Sequence, residues 1–343
     1  MKKLLNTLYI TSEDIFLSLD GENVVANLAD GSRKAFPLHT FTGIVSFSYK
    51  GATPALMGKC LEYGIPLAFY SPQGRFLAQI GNEVSGNVYL RREQYRIADD
   101  ETRALEIARS FIVGKFYNAK YVLLRGARDH ALQSNADKLR TAAGNIHAYL
   151  NDAAKALCED QLRGIEGNAA GEYFGAFDEL ILRDKEHFFL HGRNRRPPTD
   201  RTNALLSFAY ALLANDCAAA LRGVGLDPYV GFMHADRPGR KSLALDLMEE
   251  LRPAYADRFV LTLINNRVIA PDDFILQESG AVLLTDEARR AFLSEWQKRK
   301  KEELTHPYLE EKIAWGLVPH VQALLLARCV RGDLDAYPPF FWK

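Results

Sequence analysis

Residues Gly231–Pro253 read GFMHADRPGRKSLALDLMEELRP, in which an apolar run leads through a basic turn into an acidic helix. His234 closes the apolar run, and the spacing of apolar residues predicts a helix over Ser242–Leu251. Asp246 and Glu249 are three residues apart, so they share one face of that helix. An imidazole beside paired carboxylates suits Mg²⁺ or Mn²⁺ better than a thiolate-seeking metal. The stretch therefore indicates half of a metal site, and the other half must come from elsewhere.

The acidic helix also has a simpler interpretation. Its polar residues fall on one arc of the helix, and these are Ser242, Asp246, Glu249 and Glu250. Such an arc on a short amphipathic helix is most often a solvated face, and a lone histidine is more often structural than a metal ligand. From these residues alone, the solvated face remains the stronger interpretation.

Glu166, in the segment RGIEGNAAGEYF, is the candidate for the second half of the site. On a helical wheel it lies within roughly 60° of an apolar stripe that includes Ala169, Tyr173 and Phe177. A carboxylate aimed at the core is costly unless it is paired, hydrogen-bonded or bound to metal. The alternative is that Glu166 lies in the first helical turn, where the helix dipole stabilises a negative charge. The residues alone support these two interpretations equally.

The period of the apolar residues changes near Gly86. Before it, short runs rich in β-branched and aromatic residues are separated by turns such as Asp20-Gly21, which predicts a meander of strands with one helix over Thr53–Tyr63. Beyond it, apolar residues recur at intervals of three and four residues, which is the spacing of an α-helix. The predicted helices are Val88–Arg96, Asp100–Arg125, Ala131–Cys158, Ile165–Leu182, Thr202–Arg222, Ser242–Leu251, Ala254–Arg267, Thr285–Leu304 and Pro307–Val330.

The predicted fold class is therefore α+β. A small β-rich N-terminal domain over residues 1–86 is followed by a larger all-α catalytic domain over residues 87–343. A chain of 343 residues is long enough to bury a sizeable core without disulfides or other staples.

Composition places the chain in the cytoplasm. The four cysteines have no C-x-x-C spacing, polar residues interrupt the N-terminal apolar run, and no apolar run approaches the length of a membrane span. We therefore expect a reducing compartment and no membrane partner.

Any surface for nucleic acid must come from local clusters, because 43 Lys and Arg residues balance 43 Asp and Glu residues. Two basic segments could hold phosphates, one in the extended loop GRNRRPPTDR at residues 192–201 and one in the basic turn after His234. The candidate contacts are Arg193, Arg195, Arg196, Arg237, Arg240 and Lys241.

Three ordered segments resemble one family. RGIEGNAAGEYF, RRPPTDRTNALLSFAYALL and GLDPYVGFMHADRPGRKSLALDLMEELRP are similar to motifs of the CRISPR-associated integrase and endonuclease of spacer acquisition, and the match spans almost the whole chain. The resemblance implies Glu166, His234 and Glu249 as ligands of Mg²⁺ or Mn²⁺, although the family often has aspartate where Glu249 stands. Asp246 matches a second acid that the family places near the ion, so it joins the predicted catalytic residues.

The resemblance also implies an activity and partners. We expect the 3′-hydroxyl of a short DNA fragment to attack a phosphodiester at the edge of a CRISPR repeat, with the metal polarising the phosphoryl oxygen. The family acts as homodimers, for which the N-terminal domain is the expected interface, and two of these flank a dimer of a small second CRISPR-associated protein.

Two other functions compete with this one. A structure-selective nuclease would cut branched DNA without joining anything, and a non-catalytic scaffold would bind DNA while its acids face solvent. The positions of Glu166, His234 and Glu249 distinguish the scaffold from the enzymes. In an enzyme, these ligands must all lie within about 2.0–2.6 Å of one ion. In a scaffold, they would lie too far apart to hold it.

Overall fold

The computed structural model describes residues 6–12, 14–41, 43–71, 76–80, 88–194 and 197–343. Two of the predicted DNA contacts, Arg195 and Arg196, lie outside the described residues. The chain divides into two compact units, one formed by Met1–Ser85 with Leu283–Glu302 and the other by Gly86–Val282 with Glu303–Lys343. The domain limits that the sequence suggests, 1–86 and 87–343, remain a prediction.

The regular elements follow the predicted change of period. The strands are β1 (Thr7–Ile10), β2 (Phe16–Asp20), β3 (Asn23–Asn27), β4 (Arg33–Pro37), β5 (Gly43–Ser46), β6 (Leu67–Tyr70), β7 (Phe76–Ile80), β8 (Phe274–Leu276), β9 (Val282–Leu284), β10 (Glu303–Thr305) and β11 (Lys312–Ala314). The helices are α1 (Pro54–Glu62), α2 (Val88–Ala98), α3 (Glu101–Asp129), α4 (Ala136–Ala153), α5 (Glu159–Phe177), α6 (Arg201–Gly223), α7 (Ser242–Leu251), α8 (Arg258–Asn265), α9 (Asp286–Lys301) and α10 (Val318–Val330).

The first unit contains two sheets together with the helices α1 and α9. Strands β2, β3 and β4 make the predicted antiparallel meander, and Gly21 takes a positive φ of 57° in its first turn. The other sheet has the order β1-β5-β6-β7, in which β1 pairs with β5 and β5 with β6 in parallel. For this sheet the predicted meander is wrong, because the meander β2–β4 lies between β1 and β5 in the chain and α1 links β5 to β6 as a crossover.

Local capping explains where α1 begins. Thr53 accepts a hydrogen bond from the backbone N–H of Leu56 at 3.3 Å, and Pro54 occupies the first helical position, where no N–H is needed. The predicted start of this helix is confirmed. Its buried face, Leu56 and Cys60, joins strand residues such as Ile44 in one apolar cluster, which forms the core of the sheets.

The region beyond residue 86 is mostly helical, but the prediction that it is all-α is wrong. Strands β8 to β11 have three residues each, which is too short to show a period of two in the sequence. Strand β11 pairs with β10 in an antiparallel ladder, so the predicted helix Pro307–Val330 begins at Val318.

Helix α3 is the long central element of the second unit, with 29 residues, and it packs against α4, α5 and α7. Helix α7 continues into a π-helical segment, Arg252–Asp257, whose Pro253 cannot donate a backbone hydrogen bond. The elements α3, α5, α7, the loop before α7 and the π-helical segment carry the side chains of the candidate site.

Helix α6 has the length and apolar composition of a membrane span. However, 67% of its most apolar window is buried inside the fold, which is the pattern of a core helix. The four cysteines, Cys60, Cys158, Cys217 and Cys329, are free thiols.

Candidate metal centre

The acids of α7 are buried. Asp246 and Glu250 are fully inaccessible, and Glu249 is 3% exposed. The interpretation of this helix as a solvated acidic face is therefore wrong, since α7 is enclosed by α3 and α6. Buried carboxylates require partners, and each of the three finds a different set.

Asp246 organises the loop that carries His234. One of its carboxylate oxygens accepts the backbone N–H groups of Phe232 at 2.7 Å and Met233 at 3.1 Å. The other accepts the N–H of His234 at 3.0 Å and lies 2.6 Å from its ring Nδ1. Both oxygens of Asp246 are thus engaged, and the hydrogen bond to Nδ1 leaves Nε2 available as an electron-pair donor.

Gly231 allows the loop to approach α7 this closely. A Cβ at this position would lie 2.7 Å from Oδ2 of Asp246 and 2.9 Å from Cβ of Ser242. Both distances are shorter than a carbon atom tolerates, so glycine is required where the apolar run meets the helix. Arg163 also fixes the loop, because its guanidinium donates to the carbonyl of Met233 at 2.9 Å.

Lys115, on α3, brings together the two predicted carboxylate ligands. Its ammonium donates to Oε1 of Glu166 and lies 2.8 Å from Oε2 of Glu249. Oε2 of Glu249 has no properly directed hydrogen bond, so its contact with Lys115 is one of charges. Burial acts to lower the pKa of Lys115, but the carboxylates of Glu249 and Glu166 outweigh it and raise that pKa. The ammonium therefore stays charged between them.

Arg252 is the second cation of the centre. It begins the π-helical segment, and its guanidinium lies 2.9 Å from Oε1 of Glu249 and 5.0 Å from the ring centre of Tyr210. Burial acts to raise the pKa of Glu249, but Arg252, Lys115 and His234 together lower it below its usual range. Glu249 is therefore an anion, although it is almost wholly buried.

Glu166 lies in the body of its helix. Because α5 begins at Glu159, Glu166 is beyond the first turn, and the interpretation that relies on the helix dipole is wrong. Its side chain is 27% exposed and lines a small cavity of about 30 Å³ with Ala169, Ala170 and Tyr173, as the helical wheel predicts.

Three predicted metal ligands thus converge from three elements. Nε2 of His234 lies 3.9 Å from Oε1 of Glu249, and Glu249 and Glu166 meet at one ammonium. Two carboxylates and an imidazole whose far nitrogen is bound by a third carboxylate fit Mg²⁺ or Mn²⁺. As the side chains stand, no three His, Cys, Asp or Glu groups within the described part of the chain form a ready metal cluster. The donor set fits the ion, but Lys115 lies where the carboxylates converge.

The predicted DNA contacts differ in their surroundings. Arg237 is exposed and Arg240 is half-buried in the turn before α7. Burial, with a smaller effect of Arg222, lowers the pKa of Lys241 to about 8. Arg193 turns inward, where it donates to Asn203 and lies over the ring of Tyr210 at 5.1 Å. Arg193 thus braces the start of α6.

Neither Lys115 nor Arg252 was predicted from the sequence to belong to the site. Lys115 falls in a buried stripe of α3 with Phe111, Asn118 and Val122, so a lysine at a position that the helical period predicts to be buried is the signal for it. Arg252 gave no comparable signal, because it directly precedes a proline that marks the end of a regular helix.

Comparison with known proteins identifies the family of the chain. The sequence model of the family described as CRISPR associated protein Cas1 matches residues 8–298. A protein named CRISPR-associated endonuclease Cas1 2, from Rhodospirillum rubrum, is 50% identical over the full length of both chains. CRISPR-associated endonuclease Cas1 1 from Chlorobaculum tepidum is 46% identical, again over the full length of both.

Solved structures share the fold. A casposase bound to integration product aligns with a TM-score of 0.86 and 24% identity over 98% of this chain and 94% of that one. A CAS1 protein from Thermotoga maritima aligns with a TM-score of 0.83 and 24% identity over 98% of this chain and all of that one. With the family model matching most of the chain and full-length relatives at up to half identity, the chain belongs to the Cas1 family of CRISPR-associated proteins.

Proposed function

We propose that this protein is a divalent-metal-dependent DNA integrase and endonuclease. In the proposed reaction the 3′-hydroxyl of a short DNA fragment attacks the phosphorus of a phosphodiester at the edge of a CRISPR repeat, the existing P–O3′ bond of the repeat strand breaks, and that strand leaves with a 3′-hydroxyl. With water as the nucleophile the same step cuts the DNA instead. The observation that carries the proposal is the convergence of Glu166, Glu249 and Nε2 of His234 in one largely buried centre. A solvated scaffold has no need of buried, charged carboxylates, which are costly without a function or partner.

Each residue of the centre has a distinct task. Glu166, Glu249 and His234 would hold Mg²⁺ or Mn²⁺, and the bound ion would supply Lewis-acid polarisation of the phosphoryl oxygen and activation of the attacking hydroxyl. Asp246 holds the imidazole with Nε2 facing Glu249. Arg252 keeps the carboxylate of Glu249 ionised and oriented. Asp246 is thus a positioning residue in this proposal.

The DNA would reach the centre past the turn 237–241. Arg237 and Arg240 are the best placed of the predicted phosphate contacts, because both belong to the turn that joins the loop of His234 to α7. Lys241 would bind phosphate more weakly above about pH 8, since its pKa is lowered to that value. Arg193 contributes indirectly in this scheme, through its contacts with α6.

Partners complete the proposal. One solved structure with the same fold is titled a Cas6-RT-Cas1–Cas2 complex, and this chain aligns with 36% of the length of the chain matched in it. In support of the same kind of assembly, a chain of zero net charge needs a shared basic surface to bind DNA strongly. We therefore propose a homodimer that binds prespacer DNA, the CRISPR repeat and the small second CRISPR-associated protein in the cytoplasm.

The test is joining of a labelled oligonucleotide to a plasmid that contains the CRISPR repeat, in the presence of Mn²⁺ and the small partner. Glu166→Ala and His234→Ala should each reduce the joined product by about a hundredfold or more, because each removes a metal ligand. Both variants should bind the oligonucleotide nearly as well as the unaltered protein. Glu172→Ala is the matched control, since Glu172 lies on the same helix but faces Asn145 at 2.9 Å on the surface.

Two outcomes would contradict the proposal. Full Mn²⁺-dependent joining by Glu166→Ala or His234→Ala would exclude the centre. Cleavage of branched DNA without any joined product, with or without the small partner, would favour a structure-selective nuclease.

A further inference from the structure

Lys115 contacts both carboxylates that the proposed ion requires. Its ammonium meets Glu166 and lies 2.8 Å from Glu249, while 12% of its side chain is exposed. Because Glu249 is also paired with Arg252, two carboxylates face two cations within the centre. Lys115 and Arg252 therefore balance the charges of Glu166 and Glu249 before any ion binds.

We propose that Lys115 is an internal counter-ion that competes with the divalent cation for Glu166 and Glu249. This proposal rests on the proposed function. It adds one step to metal binding, because the ammonium of Lys115 must leave Glu166 and Glu249 before the ion can bind both carboxylates. Without the ion, Lys115 prevents the two carboxylates from repelling each other. With the ion, its positive charge is the one that has to move.

The surrounding packing identifies the side chain of Lys115 as the moving part. A Cβ on the preceding residue, Gly114, would lie 2.9 Å from Cβ of Glu250 and 3.0 Å from Cβ of Pro339. Helix α3 is therefore held tightly against α7 beside Lys115, and its backbone has no room to shift towards that helix. The flexible four-carbon stem of a lysine can swing its ammonium away without moving the helix.

The charges around the centre set the direction of the effect. A divalent ion added to two carboxylates, Arg252 and Lys115 would leave an excess of positive charge, which is costly in a largely buried site. Replacing Lys115 with a neutral residue removes one of the two competing cations and leaves the contacts of Arg252, His234 and Asp246 in place. The affinity for the ion should therefore rise.

Calorimetric titration with Mn²⁺ of the full chain tests this inference. Lys115→Met should lower the dissociation constant for Mn²⁺ roughly tenfold or more, since one charge that opposes binding is gone. Lys115→Gln, which retains polarity, should shift the constant in the same direction. Lys115→Arg keeps the charge and should leave the affinity close to that of the unaltered protein. Lys120→Met removes the same charge from the same helix, where Lys120 lies over the ring of Tyr121, and should change nothing.

Thermal unfolding supplies a second readout. Without the ion, Lys115→Met should melt at a lower temperature because Glu166 loses its partner, and Mn²⁺ should raise its melting temperature by more than it raises that of the unaltered protein. If both neutral variants bind Mn²⁺ no more tightly than the unaltered protein, the competition is refuted. If they bind Mn²⁺ more tightly but the unaltered protein joins no DNA, the role of Lys115 stands and the proposed function falls.

Discussion

Glu249 and Glu250 are neighbours on one helix, and both are buried, yet their surroundings differ completely. Glu249 faces the candidate metal centre, where Arg252, Lys115 and His234 lower its pKa. Glu250 faces the C-terminal tail, where burial raises its pKa to about 7. One helix thus presents an anion to one side and a carboxyl that readily holds a proton to the other.

Neutral donors surround Glu250. It accepts the hydroxyl of Tyr337 at 2.5 Å, the amide of Gln322 at 2.9 Å and the backbone N–H of Phe340 at 2.7 Å. Asn118 bonds the backbone carbonyls of both Glu250 and Phe340, so the tail is fastened to α3 and α7 together. Glu250 is therefore an anchor of the tail.

Burial alone therefore does not identify a candidate metal ligand. Burial raises the pKa of any carboxyl group, and cations within contact distance decide whether the group is nevertheless charged. By that rule Glu249 is ready to bind a cation and Glu250 is not. Helical spacing cannot make this distinction, because adjacent residues differ by only about 100° around the axis.

Equal substitutions at the two positions give the largest expected effect. Glu249→Gln should reduce Mn²⁺-dependent joining of DNA by about a hundred- to a thousandfold, because it neutralises a ligand of the ion. Glu250→Gln should keep joining close to that of the unaltered protein, because an amide resembles the protonated carboxyl. The joined product is measured with the labelled oligonucleotide and the repeat-containing plasmid. Equal losses of joined product in Glu249→Gln and Glu250→Gln would contradict the assignment of different roles to the two carboxylates.

Asp257 is a second buried carboxyl group with a raised pKa, and it should have a smaller effect, on the stability of the protein. It is buried and accepts hydrogen bonds from the hydroxyls of Tyr210 at 2.6 Å and Tyr173 at 3.0 Å, and burial raises its pKa from 3.8 to about 6. Because the folded pKa exceeds the unfolded one, the folded protein holds this proton more strongly between about pH 4 and pH 6. The stability that Asp257 contributes therefore falls as the pH rises through that window, by at most about 3 kcal/mol.

Urea unfolding of Asp257→Asn at several pH values measures this effect. Since asparagine does not titrate, the free energy of unfolding of the unaltered protein should fall relative to that of the variant between pH 4 and pH 6. Asp152→Asn, at an exposed site on α4, is the control and should follow the unaltered protein. Parallel curves for Asp257→Asn would show that burial does not govern the protonation of Asp257.

Much of the fold follows from local sequence signals. Side-chain caps mark the starts of α1, α3, α6 and α9, where Thr53, Asp100, Asp200 and Thr285 accept backbone hydrogen bonds. Helix α7 has the predicted limits, since its apolar spacing is regular. These features depend on residues close together in the chain, so the sequence shows them directly.

The remaining features depend on distant residues. The parallel pairing of β1 with β5 joins segments separated by a whole meander, and no local pattern encodes it. In the candidate site, the residues alone left the roles of His234 and Glu166 open, and the resemblance of three ordered segments to one family singled them out. The contact of Lys115 with Glu166 joins residues 51 positions apart, so it emerges from the packing of α3 against α5 and α7.

The central claim is that Glu166, His234 and Glu249 hold the divalent ion. The most direct test is a crystal structure of the protein with Mn²⁺, in which anomalous scattering locates the metal. We expect one peak within about 2.0–2.6 Å of these three side chains, with Asp246 still bonded to Nδ1 of His234 and the ammonium of Lys115 displaced. A peak bound elsewhere, or an ammonium that still bridges Glu166 and Glu249 beside the ion, would contradict it.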